Sequence, residues 1–257
     1  MVTSKVVPLI CCLAFFCLSS SLISAAESDF FYLTLLWPGA SCNGFHKDCC
    51  TPTTGEPAED FFVQALETYD SATGKIVTNC NSTCPFFINQ LRELIDDLFA
   101  YWPDIKCPSN NGMNQWKSVW CTYGSCSNLT EVQYFQQALA LRGKVDLLNT
   151  LTSNGVVPSE TTQYNLEDIQ RILIAYLGFS TEVECRRSLL RRDYELYKIR
   201  ICVSSDGQRI ISCPISMSKT CGSKIKFLPF STNMLHDEGA DDKANPLKMP
   251  SDKSLVM

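Results

Sequence analysis

The side chains of this 257-residue chain that could take part in chemistry gather in two short stretches. The first is residues 115–126, Gln-Trp-Lys-Ser-Val-Trp-Cys-Thr-Tyr-Gly-Ser-Cys. Its spacing predicts a short helix. Trp116 and Trp120, four apart, share one face; Val119 and Tyr123 share a second, with Ser118 and Thr122 beside them. Gly124 is expected to stop the helix in the left-handed conformation. The second stretch is Asp60-Phe-Phe-Val-Gln-Ala-Leu-Glu-Thr, where Gln64 and Glu67 interrupt an apolar run. Gln64, Ser118, Thr122, Tyr123 and Glu67 among them offer an amide, two hydroxyls, a phenol and a carboxylate, groups that bind through hydrogen bonds. They move protons poorly near neutral pH. Neither an amide nor an aliphatic hydroxyl titrates usefully, and an unperturbed phenol has a pKa of about 10. Imidazole is the side chain suited to that range. The chain has two, His46 in a cysteine-rich loop and His236 near the C-terminus. Lys117 is expected off the face of Val119 and Tyr123, and Glu67 at a solvated strand end. No Ser-His-Asp, P-loop or glycosidase signature is evident.

The elements that must position these residues are an α+β set. Phe30 to Trp37 reads as a buried strand ended by Pro38 and Gly39. Residues 42–57 read as a loop. Phe86 to Tyr101 reads as a helix with Phe87, Leu91, Leu94, Ile95 and Leu98 on one stripe, Pro85 at its start and Trp102-Pro103 at its end. Further helices are expected over 130–142, from about Val145 to Leu151, and after Asn165, which pairs with Asp168 as a cap. Glu195 to Val203 alternates with Tyr197, Ile199, Ile201 and Val203 on one face. Asp206-Gly207 signals a hairpin, Gln208 to Ser212 returns, and Lys224 to Leu228 makes a last strand.

Residues 1–26 have the form of a secretory signal: Lys5, an apolar run from Val6 to Leu18, then Ser24 and Ala26 at a small-residue cleavage site. The run is short for a membrane span. Removing it takes away one base and no acid. That leaves 21 basic and 27 acidic residues, a net charge of −6, which argues against a general polyanion binder. Arg186, Arg187, Arg191, Arg192 and Arg200 form either a local basic patch or a solvated face. Twelve cysteines remain, an even count that reads as a disulfide framework rather than a zinc site. No metal or cofactor is called for. Asn81-Ser-Thr and Asn128-Leu-Thr are glycosylation sequons. Residues 27–230 are expected to form one domain, and 231–257, polar and aperiodic, a disordered tail.

Residues 116–126 resemble the second conserved block of the ribonuclease T2 family, Trp-x-His-Glu-Trp-x-Lys-His-Gly-Thr-Cys. Trp116, Trp120, Gly124 and Cys126 keep its frame, while Ser118, Val119, Thr122 and Tyr123 stand at its four working positions. Residues 61–68 are similar to the first block, Phe-x-Ile-His-Gly-Leu-Trp-Pro, with Gln64 for His, Ala65 for Gly, Glu67 for Trp and Thr68 for Pro. The opening strand is similar too, with Leu35 and Leu36 where the family carries Gln-Gln before Trp37. The similarity spans about residues 29–230. It includes Cys107-Pro-Ser and Cys221-Gly-Ser, and the acidic composition looks like the plant S-like group.

The resemblance implies an antiparallel sheet packed against several helices, with a cleft beside the second block. It implies cleavage of single-stranded RNA through a 2′,3′-cyclic phosphate in active members. That reaction needs a base, an acid and charged donors for the phosphate. Gln64, Ser118, Val119, Thr122 and Tyr123 supply none of these, so the chain is expected to be an inactive homologue: a secreted binding, defence or storage protein. A weakly active endoribonuclease is the alternative. Cleft candidates are Trp37, Gln64, Glu67, Ser118 and Tyr123. Expected partners are RNA, weakly, and an unidentified protein or ligand; no membrane is expected after signal cleavage, and the protein is expected to be a monomer, extracellular or vacuolar. The resemblance also implies bridges Cys42–Cys49, Cys50–Cys107, Cys80–Cys126, Cys185–Cys221 and Cys202–Cys213. Cys84 and Cys121 are left within a few residues of the third bridge, where a sixth can form if their Cα atoms come within roughly 4.4–6.8 Å.

Overall fold

A computed structural model describes residues 29–43, 49–188, 192–214 and 220–237. The expected signal, His46, Arg191 and the last twenty residues lie outside these. In chain order the elements are β1 (Phe30–Leu36), α1 (Pro38–Cys42), β2 (Phe62–Asp70), β3 (Lys75–Ile76), α2 (Ile95–Tyr101), α3 (Met113–Thr122), α4 (Glu131–Gly143), α5 (Leu147–Ser153), β4 (Gln163–Asn165), α6 (Leu166–Leu177), β5 (Glu182–Arg187), β6 (Tyr194–Val203), β7 (Ile210–Ile211) and β8 (Lys224–Lys226). The sheet runs β3-β2-β1-β6-β8-β4, with β5 and β7 also paired to β6. The long pairings, β2 to β1, β1 to β6 and β5 to β6, are all antiparallel.

β1 is apolar along nearly its whole length because it is buried on both faces. Leu33 and Leu35 join Leu66, Ile199 and Ile201 in the core between sheet and helices. Trp37, Trp102 and Trp116 complete that core, and Trp116 Nε1 donates to the Trp102 carbonyl at 2.8 Å. An aromatic cluster of Phe30, Tyr32 and Tyr69 lies apart from it.

Several expectations need correction. The 86–101 helix is a 3-10 stretch over Ile88–Leu94 followed by α2. The amide of Phe87 is held by the Glu131 carboxylate, at 3.1 and 3.0 Å, and Phe87 itself is 55% exposed, outside the predicted stripe. Gly124 does not stop α3 in a left-handed conformation. Tyr123 caps the helix in the right-handed region and the chain goes on as a 3-10 turn over Gly124–Cys126. Glycine is needed there for another reason: a Cβ would meet the Trp120 ring at 2.1 Å. The last strand stops at Lys226, because the carbonyls of Phe227 and Leu228 bond to Ser159 N and Trp37 Nε1 instead of to a strand. β5 had no periodic apolar signal, since four of its six residues are charged. The order also extends past residue 231. Thr232–Met234 forms a 3-10 turn, Leu235 is buried, and His236 exchanges backbone hydrogen bonds with Cys49 and Thr51.

All six bridges are present, including Cys84–Cys121 with its Cα atoms 5.4 Å apart.

Candidate functional site

The side of the sheet away from the core carries the polar residues. Strand alternation sends Leu33, Leu35, Ile199 and Ile201 one way and Tyr32, Thr34, Leu36, Lys198 and Arg200 the other. Register then lines them up across strands: Tyr32 faces Glu67, Thr34 faces Arg200, and Lys198 stands between Leu36 and Glu184. A charged row results. Glu67 Oε2 accepts from Thr34 Oγ1 at 2.7 Å and lies 3.5 Å from Arg200 Nε. Arg200 Nη1 reaches Glu184 at 2.8 Å, and Lys198 Nζ stands 3.9 Å from the same carboxylate. Burial pushes the Lys198 ammonium below its ordinary range.

Gln64 sits where the register between β1 and β2 slips. Thr34 pairs with Ala65 and Leu35 with Val63, so Gln64 is the extra residue of a bulge, a device that re-aims a side chain. It lines a cavity of about 310 Å³ together with Leu36, Phe62, Val63, Gln115 and Arg186. Gln115 Oε1 in that cavity is buried with no hydrogen-bond partner among the described residues. Asp104 and Lys106 also line it, so the apolar walls carry two amides, a carboxylate and two cations, groups that fix the edge of a polar ligand.

Helix α3 positions Tyr123 by anchoring Trp116 and Trp120. Trp116 is fully buried, and Trp120 Nε1 donates to the Pro85 carbonyl at 3.0 Å. Tyr123 is left half-buried beside Glu67 and Arg200; burial raises its phenol pKa, Glu67 adds to the rise and Arg200 opposes it. Val119 packs against the core, and the Thr122 carbonyl accepts the Asn79 amide at 2.8 Å. Ser118 is exposed, as is Lys117, and neither lines the cavity.

One expected cleft residue stands elsewhere, and a second has other surroundings than expected. Trp37 is 1% exposed, packed between Phe61 and Phe227, with its indole N–H given to Leu228: it is core. Glu67 is not a solvated strand end. It is 6% exposed because Thr34 and Arg200 cover it. The arginine run does not form one patch either. Arg186 donates to the Ala40 carbonyl, Arg187 lies over the Tyr194 ring, and Arg200 is paired in the sheet. Thr34, Lys198 and Glu184 went unnoticed in the sequence, and Arg200 was read only as part of the arginine run. The signal was there in β6, where Lys198 and Arg200 alternate with the apolar residues. Among the described residues, no group of three or more His, Cys, Asp or Glu could hold a metal ion.

The model of the ribonuclease T2 family matches residues 28–213. The chain belongs to the ribonuclease T2 family. It is 34% identical over 223 residues to the intracellular ribonuclease LX of Solanum lycopersicum, covering 86% of this chain and 93% of that one. It is 36% identical over 208 residues to ribonuclease 3 of Arabidopsis thaliana, covering 80% and 92%. The fold is similar to the crystal structure of RNase NT in complex with 5′-AMP, with a TM-score of 0.73 and 34% identity over 79% of this chain and all of that one. The α+β ribonuclease T2 fold, an antiparallel sheet with helices on one face, is therefore shared.

Proposed function

We propose that this ribonuclease T2-family protein is secreted and does not cleave RNA, and that it binds RNA or nucleotides weakly in the cleft between Gln64 and Tyr123 as a binding, defence or storage protein. The observation behind this reading is the chemistry of the cleft residues. Gln64 on the bulge and Tyr123 at the end of α3 stand where the family motif has imidazoles, and the Tyr123 phenol is raised further from neutral pH by burial. General acid–base catalysis contributes about 10²–10⁴-fold and needs groups titrating near the working pH. Of the two histidines, His236 is held in the loop beside Cys49. Val119 and Thr122 add neither carboxylate nor ammonium. The cavity beside Gln64, with its two amides, supports retention of base recognition, and RNase NT is a relative solved with 5′-AMP.

The second reading, a weakly active endoribonuclease, draws on the ribonuclease names of the relatives and on the carboxylate and guanidinium beside Tyr123. One preparation decides between them. The purified protein is incubated with single-stranded RNA from pH 4 to 8. The non-cleaving reading expects no turnover above a buffer control. Turnover that is lost in Tyr123→Phe sinks it. In filter binding at roughly 150 mM salt the same reading expects weak affinity, because few phosphate contacts are available; a nanomolar constant contradicts it.

A further inference from the structure

The chain leaves the described domain beside the rim of the Gln64 cavity. Leu235 is buried, His236 N donates to the Cys49 carbonyl at 3.0 Å, and the His236 carbonyl accepts from Thr51 N at 2.9 Å. The other edge of the 49–51 segment is bonded to the cavity wall. Cys50 N donates to the Ile105 carbonyl at 2.8 Å, and Cys49 forms a β-bridge with Lys106. The disulfides Cys42–Cys49 and Cys50–Cys107 fix this segment in place. His236 therefore stands two strand spacings, about 10 Å, from Ile105 and Lys106, both of which line the cavity. The rim there is positive in a chain that is acidic as a whole. Lys106 and Arg186 are exposed, and neither forms an ion pair among the described residues; Arg186 gives Nη1 to the Ala40 carbonyl. The acid that lines the cavity with them, Asp104, accepts the Lys106 amide on Oδ1 at 3.1 Å.

Residues 237–242, Asp-Glu-Gly-Ala-Asp-Asp, follow directly and carry four carboxylates and no base. Six extended residues reach about 20 Å, twice the distance from His236 to the rim. Gly239 lets the run turn back towards it. We propose that the acidic run 237–242 docks on the cavity rim, with its carboxylates on Lys106 and Arg186, and competes with an anionic ligand for those two cations. The inference deepens the reading of this cavity as a nucleotide site, and rests on it, by giving the site a regulator within the chain. A tethered run has a high effective concentration at the rim, and a phosphate brought beside it meets like charge. Exposed pairs of this kind are weak and are screened by salt. Low ionic strength therefore closes the rim and high ionic strength opens it.

The test treats the full protein with a carbodiimide, which joins a lysine amine to a carboxylate in direct contact with it. Isotope-labelled and unlabelled protein are mixed in equal amounts, and the joined peptides are read by mass spectrometry. At about 20 mM salt, Lys106 is expected to be joined to Asp237, Glu238, Asp241 or Asp242 of the same molecule. At about 1 M salt, where the Debye length is about 3 Å, that product is expected to fall by about fivefold or more. No product between Lys106 and the run at low salt overturns the proposal. So does a product of mixed isotope, which seats the run on a second copy. The competition is read on Asp237→Asn/Glu238→Gln/Asp241→Asn/Asp242→Asn. This variant is expected to bind 5′-AMP about threefold or more tighter than the unaltered protein at low salt, and equally at about 1 M. Equal binding at both salts overturns the competition. Failure of both proteins to bind 5′-AMP defeats the nucleotide reading instead, and the joined peptides, read without nucleotide, still decide the docking.

Discussion

Cys84 and Cys121 are bonded across the start of the Phe86 segment and the last turn of α3, with Cα atoms 5.4 Å apart. Cys80–Cys126, at 5.1 Å, lies beside them, so residues 80–84 and 121–126 are pinned twice. The loop closed by the sixth bridge is 37 residues long. Because Cys80–Cys126 already closes the enclosing loop, the new ring holds only residues 80–84 and 121–126, which corresponds to about 2–3 kcal/mol in the chain-entropy model. The variant Cys84→Ala/Cys121→Ala is expected to lose stability of that order in urea unfolding. A thiol titration of the native protein without its signal is expected to find no free group.

Gly124 makes the closest approach in the site's scaffold. A Cβ there would stand 2.1 Å from Trp120 Cε3 and 2.8 Å from Cζ3, and Trp120 is held by its hydrogen bond to Pro85. Gly124→Ala must therefore displace the indole, and overpacking of this kind costs about 1–3 kcal/mol. Chemical denaturation measures the loss. Trp120 fluorescence is expected to shift at the same time, and an unchanged spectrum with full stability would contradict the steric argument.

Glu131 carries a pH dependence whose sign is fixed by its burial. Desolvation raises its pKa above the ordinary 4.5, with the Phe87 amide working the other way. The native state then binds the proton more readily than the unfolded chain. That contribution to stability is complete below the ordinary value and is lost as pH rises through the native one. Glu131→Gln retains an acceptor for Phe87 N and carries no charge. The melting temperature of the variant is expected to gain on the unaltered protein between pH 4 and 7, and a gap that narrows over that range refutes the assignment.

Both sequons are exposed, and their hydroxyls are used differently. Asn81 Oδ1 accepts from Thr83 Oγ1 at 2.9 Å, within a turn next to the paired bridges. Thr130, of the second sequon, is the N-cap of α4 in a capping box with Gln133. We expect a glycan on each asparagine, removed singly by Asn81→Gln and Asn128→Gln and read by mass spectrometry. Thr130→Ala is expected to remove the second glycan and about 1 kcal/mol of helix stability together, whereas Thr83→Ala removes the first with little change. Absence of a glycan on Asn81 in protein from a secreting plant cell would refute the expectation.

The α+β class and most helices were legible because they depend on residue type and short spacing. A 3.6-residue apolar stripe reports which side of a helix is buried, and β1 shows its double burial as an unbroken apolar run. Side-chain chemistry is equally local: no fold turns the amide of Gln64 into a proton carrier. The placement of Glu67 was a different kind of question. Its neighbours Thr34 and Arg200 lie 33 and 133 positions away along the chain and meet it only through the register of β2 on β1 and β1 on β6. Burial of a charge depends on partners, and sheet register brings those partners from distant sequence. Trp37 shows the same limit from the other side. Its place at a strand end suggested a cleft wall, but the Leu228 carbonyl and the Phe61 and Phe227 rings draw it into the core. The sequence by itself settled which groups this protein has to work with; the tertiary structure decided which of them face one another, because pairing across a sheet is a long-range contact that no local pattern encodes.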